Sequence, residues 1–424
     1  MALPSSPLVQ AEPVSTWRTR IGALGPGLLA ASAAIGASHL VSSTQAGALF
    51  GWQLALVIVL ANVLKYPFFR FGPQFAGETG LSLVEGYAQK GKPYLWVFLL
   101  LSIFAGIVST AGVVLLCVVI LSFLLPASWA TGVPVLAVII MAATLVLLLA
   151  GHYKALDGLT KLIVVSLAVS TVVAVGMAAA HPSVRQAGFV DPSPWNLATL
   201  PFLVALVGWM PAPIEVSAMN SMWVKAKQQD RRLATRDILF DFNVGFLTSA
   251  VLALFFLGLG VLVQYGSGEE LQRSGGAYIP QLMEMYADAI GRWAVPLMAF
   301  IGFAAMFGTV ITVVDGYARL VGESIRLLRG RPELERRAKD TWIVVIGLVG
   351  LAIVLWMGAE LATMLNFAMI SAFITAPVFA WLNFSLIRRT RTISPVLRSL
   401  AWTGLFFLTG FAVLFVLTLA GLVG

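Results

Sequence analysis

A chain of 424 residues that is 59% hydrophobic and 11% charged, with a formal net charge of +8, carries more apolar surface than one soluble core can hide. An ordinary cytosolic enzyme and a disordered chain are both excluded. Apolar stretches longer than about 18 residues recur along the sequence, each able to cross a hydrocarbon layer of roughly 30 Å as a helix, so the chain reads as a polytopic membrane protein.

Residues 1–20 are polar and contain prolines, with no apolar run before Arg20, and read as a cytoplasmic tail rather than a signal peptide. Beyond them hydropathy predicts eleven spanning helices, at 21–50, 52–75, 94–125, 132–152, 158–180, 198–224, 237–264, 289–318, 341–358, 360–386 and 397–422. The single cysteine, Cys117, falls inside the third, so neither a disulfide framework nor a cysteine metal cluster is expected. Threading the helices in order puts 24 of the 27 basic residues on the face of the N-terminus and leaves Arg185, Arg273 and Arg292 on the other. The positive-inside rule then predicts a plasma-membrane protein with its N-terminus cytoplasmic and its C-terminus outside. The basic balance orients the chain and calls for no nucleic-acid partner.

In lipid every backbone donor and acceptor needs an internal partner, and no barrel-type strand pattern occurs, so the fold class is all-α. Two predicted helices carry interruptions. The first holds Gly25-Pro26-Gly27, then Gly36-Ala37-Ser38-His39, then Ser42-Ser43-Thr44; the sixth holds Gly208-Trp209-Met210-Pro211-Ala212-Pro213-Ile214-Glu215, where two prolines remove two donors. A broken helix thus leads each of two five-helix sets, and an odd number per set inserts the second upside down. That pattern predicts an inverted repeat, 21–180 and 198–386, joined by an external loop 181–197 and followed by an eleventh helix in 397–424. In such folds half-helix ends and unwound carbonyls form a midplane site, which points to secondary transport.

Gly25-Pro26-Gly27, Gln45-Ala46-Gly47 with Phe50-Gly51, and Met210-Pro211 resemble, in order and spacing, the motifs of the Nramp family of proton-coupled divalent-metal transporters. The resemblance implies a LeuT-like fold, alternating access and a divalent metal cation as substrate. It also locates departures. Gly36 and His39 stand where the family has its metal-binding aspartate and asparagine, and Ala212 stands where it has a histidine after Met-Pro. No Asp, Glu, Lys or Arg occurs from Pro93 to Tyr153, so the third and fourth helices hold no carboxylate relay for protons.

The candidate substrate site is drawn from Gly36, Ser38, His39, Ser42, Ser43, Thr44, Val207, Met210, Glu215 and Asn366, with Gln45 nearby. His39, Met210 and Glu215 are the candidate metal ligands, through imidazole, thioether and carboxylate. Each has a structural alternative: His39 bonding a freed carbonyl, Met210 packing, and Glu215 answering the dipole of the outgoing half-helix. Ser42, Ser43 and Thr44 are expected to open the second half of helix one, where hydroxyls and free N–H groups suit an anion such as bicarbonate. Transport of such an anion, and a transport-inactive membrane sensor, are the alternative functions. Lys65 is expected to snorkel to the interface. Asp241 and Asn243 are expected to cap a helix end or to hydrogen-bond between helices, 264–288 to be an acidic outer loop, and 326–339 a basic connector beside anionic lipid. No cofactor or protein partner is implied; the expected partners are a small inorganic ion and the bilayer. No Walker loop, H-E-x-x-H or G-x-S-x-G occurs, so neither ATP hydrolysis nor another enzymatic activity is indicated.

Overall fold

The computed structural model describes residues 15–125, 132–151, 153–180, 185–268, 270–272, 275–357, 361–388 and 393–423. Most of the expected tail, 1–14, and the start of the expected external loop, 181–184, lie outside the described residues. Every regular element among the described residues is helical.

The first expected span is divided. A short α1 (Trp17–Ala23), capped by Thr16, leads to α2 (Pro26–Ala34), which starts with proline at its first position, where the missing N–H costs nothing. Helical geometry lapses at Ile35 and Gly36, resumes as a π-helical turn over Ser38–Ser43, and runs directly into α3 (Thr44–Phe50). α4 (Ala55–Thr79) follows, then α5 (Leu83–Lys90), α6 (Lys92–Ser122), α7 (Val133–Leu149) and α8 (Tyr153–Ala180). The sixth expected span is divided as well, into α9 (Leu200–Trp209) and α10 (Val216–Asp230), with Met210 to Glu215 between them. α11 (Thr235–Val263), α12 (Gly275–Ile290), α13 (Ala294–Leu328), α14 (Arg336–Trp356), α15 (Leu361–Ile387) and α16 (Pro395–Leu419) complete the chain.

Among the described residues seven helical stretches suffice by length and apolarity to cross a membrane, among them α6, α11, α13, α14 and α16, and three shorter apolar helices accompany them. The expectation of eleven spans therefore exceeds what a length criterion alone counts, in part because the breaks shorten the first and sixth. The predicted acidic loop is corrected: part of 264–288 is α12, whose Tyr278, Ile279, Leu282, Met283 and Tyr286 are buried. Its carboxylates alternate with this apolar face, a helical period that the charge count concealed.

Large apolar side chains are also exposed in rows, as at Leu56, Leu60 and Val63 on α4, Val165 and Val169 on α8, and Phe406 on α16. A helix that is apolar both inward and outward is what a lipid solvent selects.

The broken helices lie at the centre. α2 and α3 pack along α11, α9 against α15, and α10 against α4, while α6 and α13 lie side by side. The close approach to α11 rests on small residues: a Cβ added to Gly47 or Gly260 would sit 2.0 Å from the Leu257 carbonyl oxygen or 2.1 Å from that of Thr44. Backbones this near are the usual basis of helix association in lipid.

Asp241 also acts across this seam rather than on its own helix. Its carboxylate accepts the Gly25 and Gly27 amides at 2.9 and 2.6 Å, closing the N-terminus of α2. The Gly25-Pro26-Gly27 motif thereby gains a function: proline removes one orphan donor and Asp241 takes two others. Asp241→Ala is expected to cost about 2 kcal/mol, since hydrogen bonds to a charged group are worth roughly 1.5–3 kcal/mol. The check is a lowered midpoint in thermal unfolding of the purified protein, with Asp241→Asn, which keeps one acceptor, falling between.

α5 is tied down by charge. Ser82 and Glu85 form a reciprocal cap at its start, and the Glu85 carboxylate also accepts Lys225 of α10 at 2.6 Å. Burial raises the proton affinity of Glu85, but the hydrogen bonds from Lys225 and Ser82 outweigh it and hold its carboxyl below the usual range.

Candidate functional site

Two prolines set the second break. Trp209 ends α9, Pro211 and Pro213 donate no hydrogen bond, and Glu215 is the residue from which α10 resumes. The Val207 carbonyl at this gap accepts the Met210 amide at 3.2 Å, whereas among the described residues no backbone amide reaches those of Gly208, Met210 and Ala212, and in an apolar interior each unmet acceptor is costly. They are met by one side chain. The Lys65 ammonium, carried by α4 and fully buried, donates to the carbonyl oxygens of Val207 at 2.9 Å, Gly208 at 3.0 Å, Met210 at 2.9 Å and Ala212 at 3.1 Å. Lys65 therefore does not snorkel to an interface. Its stem is long enough to reach the gap, and four carbonyl dipoles are a better solvent than the lipid path beside it.

Glu215 occupies the N-cap position of α10, yet its side chain caps no amide there. The carboxylate turns to α13, where Oε1 accepts the Tyr317 hydroxyl at 2.8 Å, while Oε2 is buried with no hydrogen-bond partner among the described residues. The helix-dipole role expected for Glu215 is thus replaced by a contact to another helix.

Between the two breaks lies a cavity of about 40 Å³, walled by α2 and the π-turn, α6, α13 and the helix-six gap. Its polar lining comes from Ser38, Ser109, Trp209, Thr309, Thr312 and Tyr317. The indole Nε1 of Trp209 is buried without an acceptor. At roughly 10–15 Å³ per water, this space holds a bare ion or a few waters.

The remaining sequence candidates divide. Ser38 reaches the cavity wall, its Oγ bonded to the Ala34 carbonyl at 3.0 Å and to His39 Nδ1 at 2.8 Å. His39 is held between Ser38 and α11, with Nε2 2.9 Å from the Ser249 carbonyl oxygen, so both ring nitrogens are engaged. Gly36 faces α13 closely: a Cβ there would lie 3.2 Å from Thr309 Oγ1 and 3.6 Å from Met306 Sδ. Thr309 and Met306 thus crowd the room that a larger side chain would need. Val207 and Met210 lie at the gap through their carbonyls, bound to Lys65.

Ser42 donates to Met369 Sδ at 3.2 Å, Ser43 to the Ser38 carbonyl at 3.1 Å, and Gln45 to the Gln272 carbonyl at 2.6 Å. The Thr44 hydroxyl is buried and unpartnered. The expected helix start at these residues is corrected: the π-turn begins at Ser38 and passes without a gap into α3, so Ser42, Ser43 and Thr44 lie within continuous helix and offer no row of free N–H groups. Asn366 is not at the breaks. It lines a separate cavity of about 450 Å³ with Phe50, Pro192, Asn196 and Phe202. Among the described residues no group of three or more His, Cys, Asp or Glu side chains stands ready to hold a metal ion.

Lys65, Trp209, Thr309, Thr312 and Tyr317 were absent from the sequence candidates. Lys65 did carry a signal, a cation well inside a predicted span.

The sequence model of the family described as natural resistance-associated macrophage protein-like matches residues 27–423, nearly the whole chain. The chain belongs to the Nramp family. It is 49% identical over 418 residues to an uncharacterised protein of Pasteurella multocida (strain Pm70), covering 98% of this chain and 96% of that one. To the divalent metal cation transporter MntH of Latilactobacillus sakei it is 24% identical over 270 residues, 61% of this chain and 57% of the relative. Its backbone is similar to that of a manganese transporter from Eremococcus coleocola, with a TM-score of 0.67 at 16% identity over 96% of this chain and 88% of the other. The fold of this Nramp-family chain is LeuT-like, and the protein is a membrane transporter, not an enzyme.

Proposed function

We infer that this Nramp-family protein is a secondary transporter that carries a small inorganic cation, a divalent metal, across the cell membrane by alternating access around the two breaks. One observation carries the reading: a buried carboxylate, Glu215, with an oxygen left without a partner among the described residues, held by Tyr317, whose ring lines an ion-sized cavity beside it. A dehydrated divalent ion is offset by carboxylate and neutral oxygen ligands, and the hydroxyls of Ser38, Ser109, Thr309 and Thr312 supply the latter. The carriage of divalent metal by MntH, and of manganese by the Eremococcus protein, supports the same substrate class. The site is assembled from Ser38, Glu215, Tyr317 and these hydroxyls, with His39 as a positioning group for Ser38. The N-terminus is cytoplasmic by the distribution of basic residues.

The anion alternative has lost the helix N-terminus it needed at Ser42 to Thr44. With no carboxylate in α6, proton movement through that helix has no group to use.

Purified protein in liposomes should accumulate Mn²⁺ or Mg²⁺ down an imposed metal gradient, with each ion competing against the other. Bicarbonate should neither accumulate nor compete. Saturable bicarbonate uptake without any metal flux would replace the cation by the anion.

A further inference from the structure

A single ammonium group filling four backbone carbonyls is an unusual way to close a gap in a membrane helix. At the start of helix one the Lys227 ammonium meets two such carbonyls, those of Ala23 and Leu24 at 2.7 and 2.9 Å, and at the first break the Ala34 carbonyl is met by the short local hydroxyl of Ser38. At helix six the donor comes from another helix, 142 to 147 residues away in sequence. The four acceptors converge on one point at 2.9–3.1 Å from the nitrogen, two oxygens from the end of α9 and two from the segment that follows it. Converging carbonyl oxygens around one positive centre make up an inner coordination shell for a monovalent cation, the arrangement by which ion-selective proteins replace water. The spacing suits ammonium or a cation of similar size, such as K⁺, and is wide for Na⁺.

We propose that the ring of Val207, Gly208, Met210 and Ala212 carbonyls is a monovalent-cation site whose occupant is the chain's own Lys65 ammonium. The lysine is a permanently tethered cation. It satisfies the carbonyls of the unwound segment, so the protein keeps its break without recruiting an ion from solution. Three consequences follow from that geometry. The site is closed to cargo while Lys65 is in it, which separates it from the hydroxyl-lined cavity. Wild-type stability is indifferent to the choice of alkali cation. Removal of the ammonium uncovers a vacant ring that selects ions by size.

The test uses Lys65→Ala, which empties the ring, beside Lys65→Met, which removes the charge but fills the space. Thermal unfolding of detergent-solubilised protein is followed in K⁺, Na⁺, methylammonium and tetramethylammonium chloride at equal ionic strength. Lys65→Ala is expected to gain at least about 3 °C in K⁺ or methylammonium over tetramethylammonium, which is too large to enter. Wild type and Lys65→Met are expected to show no such difference. Should Lys65→Ala fail to fold in tetramethylammonium, its recovery as a monodisperse peak when extracted in methylammonium makes the same point. Equal behaviour of Lys65→Ala in all four salts, whether equally stable or equally aggregated, overturns the proposal. None of these readings depends on transport, so the assignment of cargo stands or falls separately.

Discussion

Glu215→Gln is expected to weaken divalent-cation binding by about two orders of magnitude or more while leaving the protein folded, because it deletes the carboxylate that the described residues place at the break. The change keeps size and shape, and the Tyr317 hydroxyl can still donate to the amide oxygen. What disappears is the negative charge, without which a divalent ion in an apolar surround meets only neutral dipoles. Tyr317→Phe removes the hydroxyl that steers the carboxylate and should lower affinity less, as it leaves the charge in place. Titration calorimetry with Mn²⁺ and Mg²⁺ on wild type and both variants measures this. Undiminished metal affinity in Glu215→Gln would show that the cation is bound elsewhere.

The second large effect concerns the fold itself. Gly47→Ala and Gly260→Ala should each abolish recovery of folded protein or cost well over 3 kcal/mol, the upper range for overpacking a tight interior. In an open helix Gly→Ala is favourable by roughly 0.8–1 kcal/mol. At these two positions the new methyl would meet a backbone oxygen at 2.0 and 2.1 Å, and backbone in a packed helix pair cannot step aside cheaply. Gly410 on α16 is the control, since a Cβ there has nothing within 4 Å. Gly410→Ala should express as wild type. Detergent-resistant monodispersity in size-exclusion chromatography, followed by thermal unfolding, reads both outcomes.

Much of the architecture was legible because the signals are local. Hydropathy located the long apolar helices, and Gly25, Gly36, Pro211 and Pro213 marked where helices are interrupted. α12 escaped because its acidic residues dominate the charge count while its buried face shows only at helical period. The site was less legible, because its groups meet through long-range contacts. Glu215 was found as an ionisable residue at depth, but its partner Tyr317 lies on α13 and carries no motif. Lys65 was read by its sequence neighbours, Tyr66 and Pro67, which suggest a helix end. Its acceptors lie in a segment whose geometry exists only once both prolines have unwound it.

The break at helix six divides loyalties as well as hydrogen bonds. α9 is fitted to α15 through Gly208, where a Cβ would lie 2.1 Å from the Met369 carbonyl oxygen, whereas α10 is fitted to α4 through Gly72, where one would lie 2.2 Å from that of Ser217. Each half is therefore packed most closely on a different neighbour, with Met210 to Glu215 as the joint between them, while Asn383 of α15 links back to α10 by donating to Ser217 Oγ at 2.6 Å. Lys65 spans this joint from the α4 side and grips the last carbonyls of α9. It acts as a strap across the hinge, and the length of one lysine side chain limits how far the two halves can separate before those bonds must let go.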